Sequence, residues 1–164
     1  VLAKGGPTVS ELLKNLSALR IRPVGNSPEE CEEAATALNR LMPSLTENYT
    51  ALKAADVARM LSTGLTRIYL GRDESGKVQA GATLVLCCSP TGCKAWIEDV
   101  AVMPDCRRRG YGRAIIRFLI AESQRLGAKS LNLTSQPKRE AANALYRSEG
   151  FVQRETNVYR WQEK

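Results

Sequence analysis

Histidine does not occur in this chain of 164 residues. Its absence excludes Ser-His and Cys-His catalytic pairs, zinc sites with histidine ligands and haem held by histidine. Proton transfer must therefore use carboxylates, tyrosine, cysteine, lysine or water. Aromatic residues are also scarce, at 5% of the chain. Because no RNP, helix-turn-helix or zinc pattern is present, a basic nucleic-acid-binding module is a weak alternative, and we expect no nucleic-acid partner.

The five cysteines do not indicate a disulfide framework. Their number is odd, Cys87 and Cys88 are adjacent, and a chain of this length needs no covalent staples. No Cys-x-x-Cys pair is present, so we expect Cys87, Cys88 and Cys93 to be buried strand cysteines rather than metal ligands. The sequence therefore predicts free thiols in a reducing, cytoplasmic setting, and no bound metal.

Long hydrophobic runs are missing as well. The longest apolar stretch, Val78 to Cys88, is too short for a membrane span of about 20 residues, and residues 1–7 have no signal-peptide core. We therefore expect no membrane partner. Lysine and arginine total 24 against 17 acidic residues, which gives a formal net charge of +7. This excess favours an anionic partner, such as a phosphate-bearing small molecule, but charge alone does not choose among anions.

The hydrophobic pattern predicts an α+β protein with a mixed, mostly antiparallel sheet. Residues 1–17 are predicted as an N-terminal extension with helical spacing, and residues 18–164 as a single domain. The predicted strands are residues 19–23, 65–71, 77–88, 95–103, 130–134, 151–152 and 157–161. The predicted helices are residues 28–41, 50–61, 110–126 and 138–148. The first of these helices has the clearest start, because Ser27, proline and Glu30 form a capping box.

The most informative segment joins the strand that ends near Val102 to the helix that begins near Gly110. Gly110 and Gly112 remove Cβ atoms where a ligand must approach the backbone. The first helical turn leaves free N–H groups at the positive end of the helix dipole, which suits an anion. Four arginines add phosphate-matched donors: Arg107, Arg108, Arg109 and Arg113. A Rossmann site would need a third glycine where Ile115 stands, and a P-loop would need Gly-Lys-Ser/Thr, so we expect a different diphosphate site.

Two motifs together resemble the GNAT N-acetyltransferases. The family pattern Arg/Gln-x-x-Gly-x-Gly/Ala is matched by Arg107-Arg-Arg-Gly-Tyr-Gly112. A second family element, an alanine followed by Leu-Tyr and Gly-Phe, is matched by Ala142-Asn-Ala-Leu-Tyr-Arg-Ser-Glu-Gly-Phe151. The resemblance implies the GNAT fold, in which the fourth and fifth strands splay apart to form a cleft for acetyl-CoA. The order of predicted elements also agrees with this fold.

The resemblance implies an acetyl-CoA-binding set around these motifs. The pyrophosphate would lie on backbone amides, and the pantetheine arm would lie beside the central strand. The implied residues are Val100, Ala101, Val102, Arg107, Arg108, Arg109, Gly110, Tyr111, Gly112, Arg113, Thr134, Asn143 and Tyr146. Asn143 is included because Arg139 stands where the family has its usual asparagine. An amide near Val100 to Val102 would polarise the thioester carbonyl.

The resemblance also implies the catalytic groups. Tyr146 would donate a proton to the leaving thiolate. Glu98 and Asp99, at the mouth of the central strand, are the candidates for the base that deprotonates the amine. Because neighbouring residues of a strand alternate between faces, we expect at most one of them to point into the cleft, with a water as the third candidate.

The acceptor is left open by the sequence. The implied activity is direct transfer of acetyl from acetyl-CoA to a primary amine, on either a small molecule or a protein. The segment Trp96-Ile-Glu-Asp-Val-Ala-Val102 is similar to that of glucosamine-6-phosphate acetyltransferases. We expect the acceptor pocket to be built by residues 46–65 and 156–161. A GNAT-like protein that binds acetyl-CoA without catalysis is the main alternative. Family members are often dimers, so a homodimer is among the expectations.

Overall fold

The computed structural model describes residues 19–163. These residues fall into two compact units that divide between Thr134 and Ser135. The predicted N-terminal extension, residues 1–17, lies outside the described residues. Within residues 19–163, none of the helices combines the length and the apolar character that a membrane crossing requires.

The first unit contains five strands and three α-helices among its described residues. The strands are β1 (Arg20–Pro23), β2 (Thr66–Arg72), β3 (Val78–Ser89), β4 (Gly92–Val102) and β5 (Leu131–Leu133). The helices are α1 (Pro28–Leu41), α2 (Ala54–Leu61) and α3 (Tyr111–Arg125). Two short 3-10 turns, Met42–Ser44 and Pro104–Cys106, follow α1 and β4. The predicted order of elements up to β5 is therefore confirmed.

The strands form one sheet in the order β1-β2-β3-β4-β5. The first four strands pair antiparallel, and β4 and β5 pair in parallel. This arrangement confirms the mixed, mostly antiparallel sheet. It follows from the connections, because hairpin turns join β2 to β3 and β3 to β4, whereas the helix α3 returns the chain to a parallel β5.

Alternation along β2 shows how the helices cover both faces of the sheet. Ile68 and Leu70 are buried in a core that also contains the apolar faces of α1 and α2. Tyr69 points the other way, because its ring packs edge-on against Phe118 of α3 at 5.2 Å between centroids and its hydroxyl donates to Glu122. The sheet is thus covered by α1 and α2 on one face and by α3 on the other.

The two helices on the first face begin at different kinds of signal. Ser27 caps α1 as predicted, since its hydroxyl accepts from the Glu30 N–H and the Glu30 side chain accepts from the Ser27 N–H. The helix α2 begins at Ala54, four residues later than the predicted Thr50. The backbone of Leu52 bonds to the side chain of Asn39 instead of entering the helix.

The β3–β4 hairpin corrects the prediction for the cysteines. Cys88 lies opposite Cys93 in the register, and the two form a disulfide. Cys87 and Cys88 are exposed and Cys93 is half-buried, so the expected burial is wrong for all three. The expected free thiols are wrong for Cys88 and Cys93, whereas Cys87 is free. The residues at the tip of the hairpin, from Cys87 to Thr91, are all exposed. The apolar run therefore indicated the strand correctly but not burial at its end.

The second unit contains the helix α4 (Glu140–Ser148) in its described residues, and residues 149–163 have no regular secondary structure. The two predicted closing strands, at residues 151–152 and 157–161, are therefore wrong. Val152, Val158, Tyr159 and Trp161 are among the most exposed hydrophobic residues described. These residues favour strands, but a strand is stabilised by pairing with a neighbouring strand rather than by its own residues alone.

Candidate active site

β4 extends beyond β5 at one edge of the sheet, and the splayed cleft expected between the two strands stays a prediction. The two strands pair only from Ala95 with Leu131 to Ile97 with Leu133. β5 ends there, while β4 continues to Val102. The last five residues of β4 therefore have β3 on one side and no β5 partner on the other. An edge of this kind can bind an extended ligand through main-chain hydrogen bonds.

A one-residue bulge interrupts β4 where this open edge begins. Thr83 of β3 pairs with Glu98 and Gly81 pairs with Ala101, so three steps along β4 match two steps along β3. Asp99 lies in the bulge and has a left-handed φ of 52°. A bulge of this kind bends the strand and shifts the direction of the groups that follow it.

The shift in direction can be followed through two hydrogen bonds. The Ala95 N–H donates to the carbonyl of Ser130, the residue before β5. The Met103 N–H is separated from it by an even number of residues but donates to the carbonyl of Gln79 in β3. In a regular strand both amides would point to the same side. Counting back from Met103 by alternation, the N–H groups of Val102 and Val100 point to the side that β5 has left. Ala101 is buried between them.

The segment after β4 turns sharply and opens α3. The 3-10 turn Pro104–Cys106 is followed by Arg108 and Gly110, whose φ values of 62° and 81° are both left-handed. Gly110 is the N-cap of α3 and has no side chain with which to cap it. The first hydrogen bond of the helix runs from the Ala114 N–H to the Gly110 carbonyl. The N–H groups of the residues before Ala114 therefore precede the hydrogen-bonded part of the helix. This geometry fits a phosphate group.

The side chains of this segment differ in exposure. The arginines at 107, 108, 109 and 113 are exposed, whereas Tyr111 is buried at 8% exposure. Tyr111 therefore anchors the start of α3 in the core and can contact a ligand only through its backbone. Gly112, in the same turn, is half-buried.

Glu98 and Asp99 are both exposed. The bulge breaks the two-residue period of β4, so strand alternation does not decide which of them faces the cleft, and the choice between them stays a prediction. Burial raises the pKa of Glu98, and the nearby negative charge of Asp99 raises it further. A carboxylate with a raised pKa is a stronger base than an ordinary glutamate.

Tyr49 lies in the segment of residues 46–65 that the sequence analysis assigned to the acceptor pocket, but it was not singled out there. Burial raises the pKa of the Tyr49 hydroxyl, a backbone hydrogen bond with Leu52 lowers it, and the charge of Asp99 raises it again. No motif marks Tyr49, and its only signal in the sequence is an aromatic residue in an otherwise polar loop between two helices.

The second unit carries two of the predicted residues. Tyr146 packs edge-on against Phe151, with 5.9 Å between ring centroids. Burial raises the pKa of its hydroxyl, partly offset by Arg139, so Tyr146 keeps its proton at neutral pH. Asn143 donates from Nδ2 to the Gln136 carbonyl at 2.9 Å. This hydrogen bond ties the segment before α4 to the helix. Thr134, at the end of the first unit, is exposed directly after β5.

A model of the acetyltransferase (GNAT) family matches residues 36–151 of the chain. The chain belongs to this family. The match includes the arginine and glycine motif, the β4 bulge and the alanine to Gly-Phe element. Membership in a family of N-acetyltransferases implies acetyl-CoA as the acetyl donor.

Individual GNAT relatives agree with this assignment. The chain is 41% identical over 58 residues to the ribosomal protein bS18 alanine N-acetyltransferase of Escherichia coli K12. That stretch covers 35% of this chain and 39% of the curated relative, so less than half of either protein is matched.

Solved structures are similar over most of the chain. A protein from Agrobacterium tumefaciens str. C58 that is classed as an acetyltransferase has a TM-score of 0.75 and 28% identity, covering 87% of this chain and 99% of that one. An aminoglycoside acetyltransferase from an uncultured soil metagenomic sample has a TM-score of 0.76 and 18% identity, covering 89% and 96%. At the latter identity, the likeness shows the fold alone.

Proposed function

We propose that this GNAT protein is an acetyl-CoA-dependent N-acetyltransferase that moves the acetyl group directly to a primary amine. One observation carries the proposal. The unpaired edge of β4 is followed, after the 3-10 turn Pro104–Cys106, by the start of α3, which has no side-chain cap. An extended arm that ends in a diphosphate matches both features in the same order, and acetyl-CoA is such a molecule.

The donor would be held mainly by backbone groups. The backbone N–H groups from Arg107 to Gly112, and that of Arg113, would donate hydrogen bonds to the pyrophosphate, since they lie at the positive end of α3. The Arg107 N–H would share its hydrogen with the Pro104 carbonyl, to which it donates at 3.4 Å. The exposed arginine side chains would add positive charge next to the pyrophosphate. The pantetheine arm would lie along residues 98–102, where Val100 and Val102 direct N–H groups to the open side. Thr134 and Asn143 remain predicted contacts of acetyl-CoA.

The same edge supports a mechanism for the transfer. Acetyl-CoA supplies the activated acetyl group when bound. The N–H of Val100 would stabilise the negative charge that develops on the carbonyl oxygen. Glu98, directly or through a water, would take a proton from the ammonium group so that the free amine can attack. Tyr146 would return a proton to the departing thiolate, a role drawn from the resemblance.

The acceptor class follows from the relatives only in outline. The matched bacterial enzyme is named for its action on an alanine of ribosomal protein bS18, and a structural neighbour for its action on aminoglycosides. Alanine and aminoglycosides both carry primary amines. We propose that this chain takes an acceptor of that kind, as a small molecule or a protein N-terminus.

The experiment is acetyl transfer from acetyl-CoA to a panel of amines, with acetylated products identified by mass spectrometry. The panel includes peptides that begin with alanine, aminoglycosides, polyamines and amino sugars. Detection by mass avoids thiol-reactive dyes, which the exposed thiol of Cys87 would consume. The proposal predicts multiple turnovers with at least one amine. Binding of acetyl-CoA with no turnover on any amine would instead support the alternative of a binding protein without catalysis.

A further inference from the structure

One buried residue connects the β2–β3 turn to the end of β4. Gln79 of β3 is 5% exposed, and Nε2 of its side chain donates to Oδ2 of Asp73 at 2.7 Å. Its main-chain carbonyl accepts from the N–H of Met103, the residue that follows β4, at 2.9 Å. Gln79 is therefore bonded through its side chain to the β2–β3 turn and through its backbone to the segment that leads into α3.

The Asp73 end of this connection is fixed by the turn itself. Oδ1 of Asp73 accepts from the N–H and the hydroxyl of Ser75, at 3.0 and 2.6 Å, and from the Lys77 N–H at 3.1 Å. Its other oxygen, Oδ2, accepts from Gln79. Hydrogen bonds from Ser75 and Gln79 lower the pKa of Asp73 to about 2, so the carboxylate is ionised at neutral pH. A hydrogen bond to an ionised oxygen is stronger than one between neutral groups.

A bulge in β3 gives Gln79 its position. Gly71 of β2 pairs with Ala80 and Arg72 pairs with Val78, so Gln79 has no partner in β2. A bulge re-aims a side chain away from the direction that strand alternation would give it. Oε1 of Gln79 is buried and has no hydrogen-bond partner in the part of the chain that the structure describes. Because an unpartnered buried oxygen lowers stability, folding alone would favour an apolar side chain of similar shape here.

The Met103 end of the connection begins the segment that we assign to the pyrophosphate. Met103 is held from both sides, because its N–H donates to Gln79 and its carbonyl accepts from the Cys106 N–H at 2.9 Å. The second of these bonds closes the 3-10 turn Pro104–Cys106, and Arg107 follows that turn directly. A displacement of Gln79 would therefore be passed on to the turn and to the backbone N–H groups after it.

We propose that Asp73 and Gln79 are positioning residues for acetyl-CoA, which act through Met103 to hold the backbone N–H groups from Arg107 onwards in the arrangement that binds the pyrophosphate. The inference rests on the proposed function and adds two residues that act through the backbone. Several N–H groups must point at one anion to form a site of this kind, so a displaced segment binds the anion more weakly.

The test is calorimetric titration of Gln79→Met with acetyl-CoA. The unbranched methionine keeps the shape of the glutamine side chain but does not donate to Asp73. The dissociation constant for acetyl-CoA should increase roughly fivefold or more, a size typical of coupling between two sites. With any amine of the panel that the wild type acetylates, the KM for acetyl-CoA should increase likewise, whereas kcat at saturating acetyl-CoA should stay within about twofold of the wild-type value.

Ser75→Ala is the matched control. It removes the 2.6 Å hydrogen bond from the Ser75 hydroxyl to the same carboxylate but leaves the bond from Gln79 in place. Because each variant loses one hydrogen bond to Asp73, denaturant unfolding should show a similar stability for the two. A purely structural role would then give the two variants the same affinity for acetyl-CoA. We expect Ser75→Ala to stay within about twofold of the wild-type affinity.

A double-mutant cycle tests the bond between the two side chains. Asp73→Ala should also weaken acetyl-CoA binding, and Gln79→Met should cause no further loss in the Asp73→Ala background, because both changes break one hydrogen bond. Additive losses, or a wild-type affinity in Gln79→Met, would overturn the inference while leaving the proposed function in place. Absence of acetyl-CoA binding by the wild-type protein would reject both.

Discussion

At the scale of single residues, backbone conformation shapes the proposed acetyl-CoA site. Gly110 has a left-handed φ of 81°, and nothing lies within 4 Å of the position that a Cβ would take. This position therefore requires glycine because of its backbone conformation and not because a side chain would lack space. Gly64, before β2, has a similar φ of 68° and equally open surroundings, which makes it a natural control.

Gly110→Ala and Gly64→Ala should each lower the free energy of unfolding by about 1–2 kcal/mol, the cost of a left-handed residue with a Cβ. Only Gly110→Ala should also weaken acetyl-CoA binding, by about tenfold, because relaxing the strain moves the amides that open α3. Denaturant unfolding and calorimetry measure the two effects. Equal acetyl-CoA affinities in the two variants would show that the turn at Gly110 serves folding alone.

The second residue-scale prediction concerns pH. The raised pKa of Glu98 is partly caused by Asp99, and the base must be ionised to act. The rate constant kcat/KM should therefore increase with pH as Glu98 loses its proton. Asp99→Asn removes the like charge, lowers the Glu98 pKa and should move this increase to lower pH. Glu74→Gln, an exposed acid in the β2–β3 turn, should leave it in place. A profile that keeps its position in Asp99→Asn would exclude Glu98 as the base.

Tyr146 gives the third prediction at this scale. Tyr146→Phe keeps the ring that packs on Phe151 but removes the proton donor. Loss of a general acid predicts a decrease in kcat of about 10²-fold with little change in acetyl-CoA affinity. Steady-state kinetics and calorimetry on the same preparation test this. Preserved turnover would mean that water protonates the thiolate and that Tyr146 only packs.

Residue-scale features were the hardest to predict from the sequence. The motif from Arg107 to Gly112 indicated the donor loop, because glycine and arginine have few other reasons to occur in that pattern. The bulge at Asp99 has no such signature, so the alternation rule placed Glu98 and Asp99 on opposite faces. Tyr49 escaped notice because its position depends on three hydrogen bonds to a helix ten or more residues earlier in the chain.

At the scale of elements, periodicity predicted most of the first unit. Capping at Ser27 set the start of α1, and alternation set β2 and β3. The prediction of two C-terminal strands was wrong, because alternation in residues 151–161 reports strand propensity but not the presence of a partner strand. The disulfide was not predicted, for a related reason. Cys88 and Cys93 flank a four-residue turn, and only the hairpin register reveals that they lie opposite each other.

The β3–β4 hairpin makes a prediction about thiols. One disulfide leaves Cys31, Cys87 and Cys106 free, and of these only Cys87 is exposed. Alkylation of the native protein, followed by intact-mass measurement, should therefore label one cysteine. Mild reduction before alkylation should raise the number to three by adding Cys88 and Cys93. Labelling of three cysteines without reductant would show that the predicted reducing setting leaves the pair as thiols.

At the scale of the whole molecule, net charge is a poor guide to the site. The chain carries +7, and four of its 24 basic residues lie between Arg107 and Arg113. The end of β4 is locally acidic through Glu98 and Asp99. The average charge predicted an anionic ligand, a role that we assign to the acetyl donor, acetyl-CoA. It carries no information about the acceptor, because the two substrates would meet different local fields.

The central claim is that the start of α3 binds the diphosphate of acetyl-CoA, and calorimetric titration with acetyl-CoA tests it most directly. Gly112→Glu places a negative side chain in the first turn, whereas Ala121→Glu places the same charge at an exposed position later in the same helix. We predict binding by the wild-type protein and by Ala121→Glu with similar affinity, and none by Gly112→Glu. Unchanged affinity in a folded Gly112→Glu protein would contradict the account.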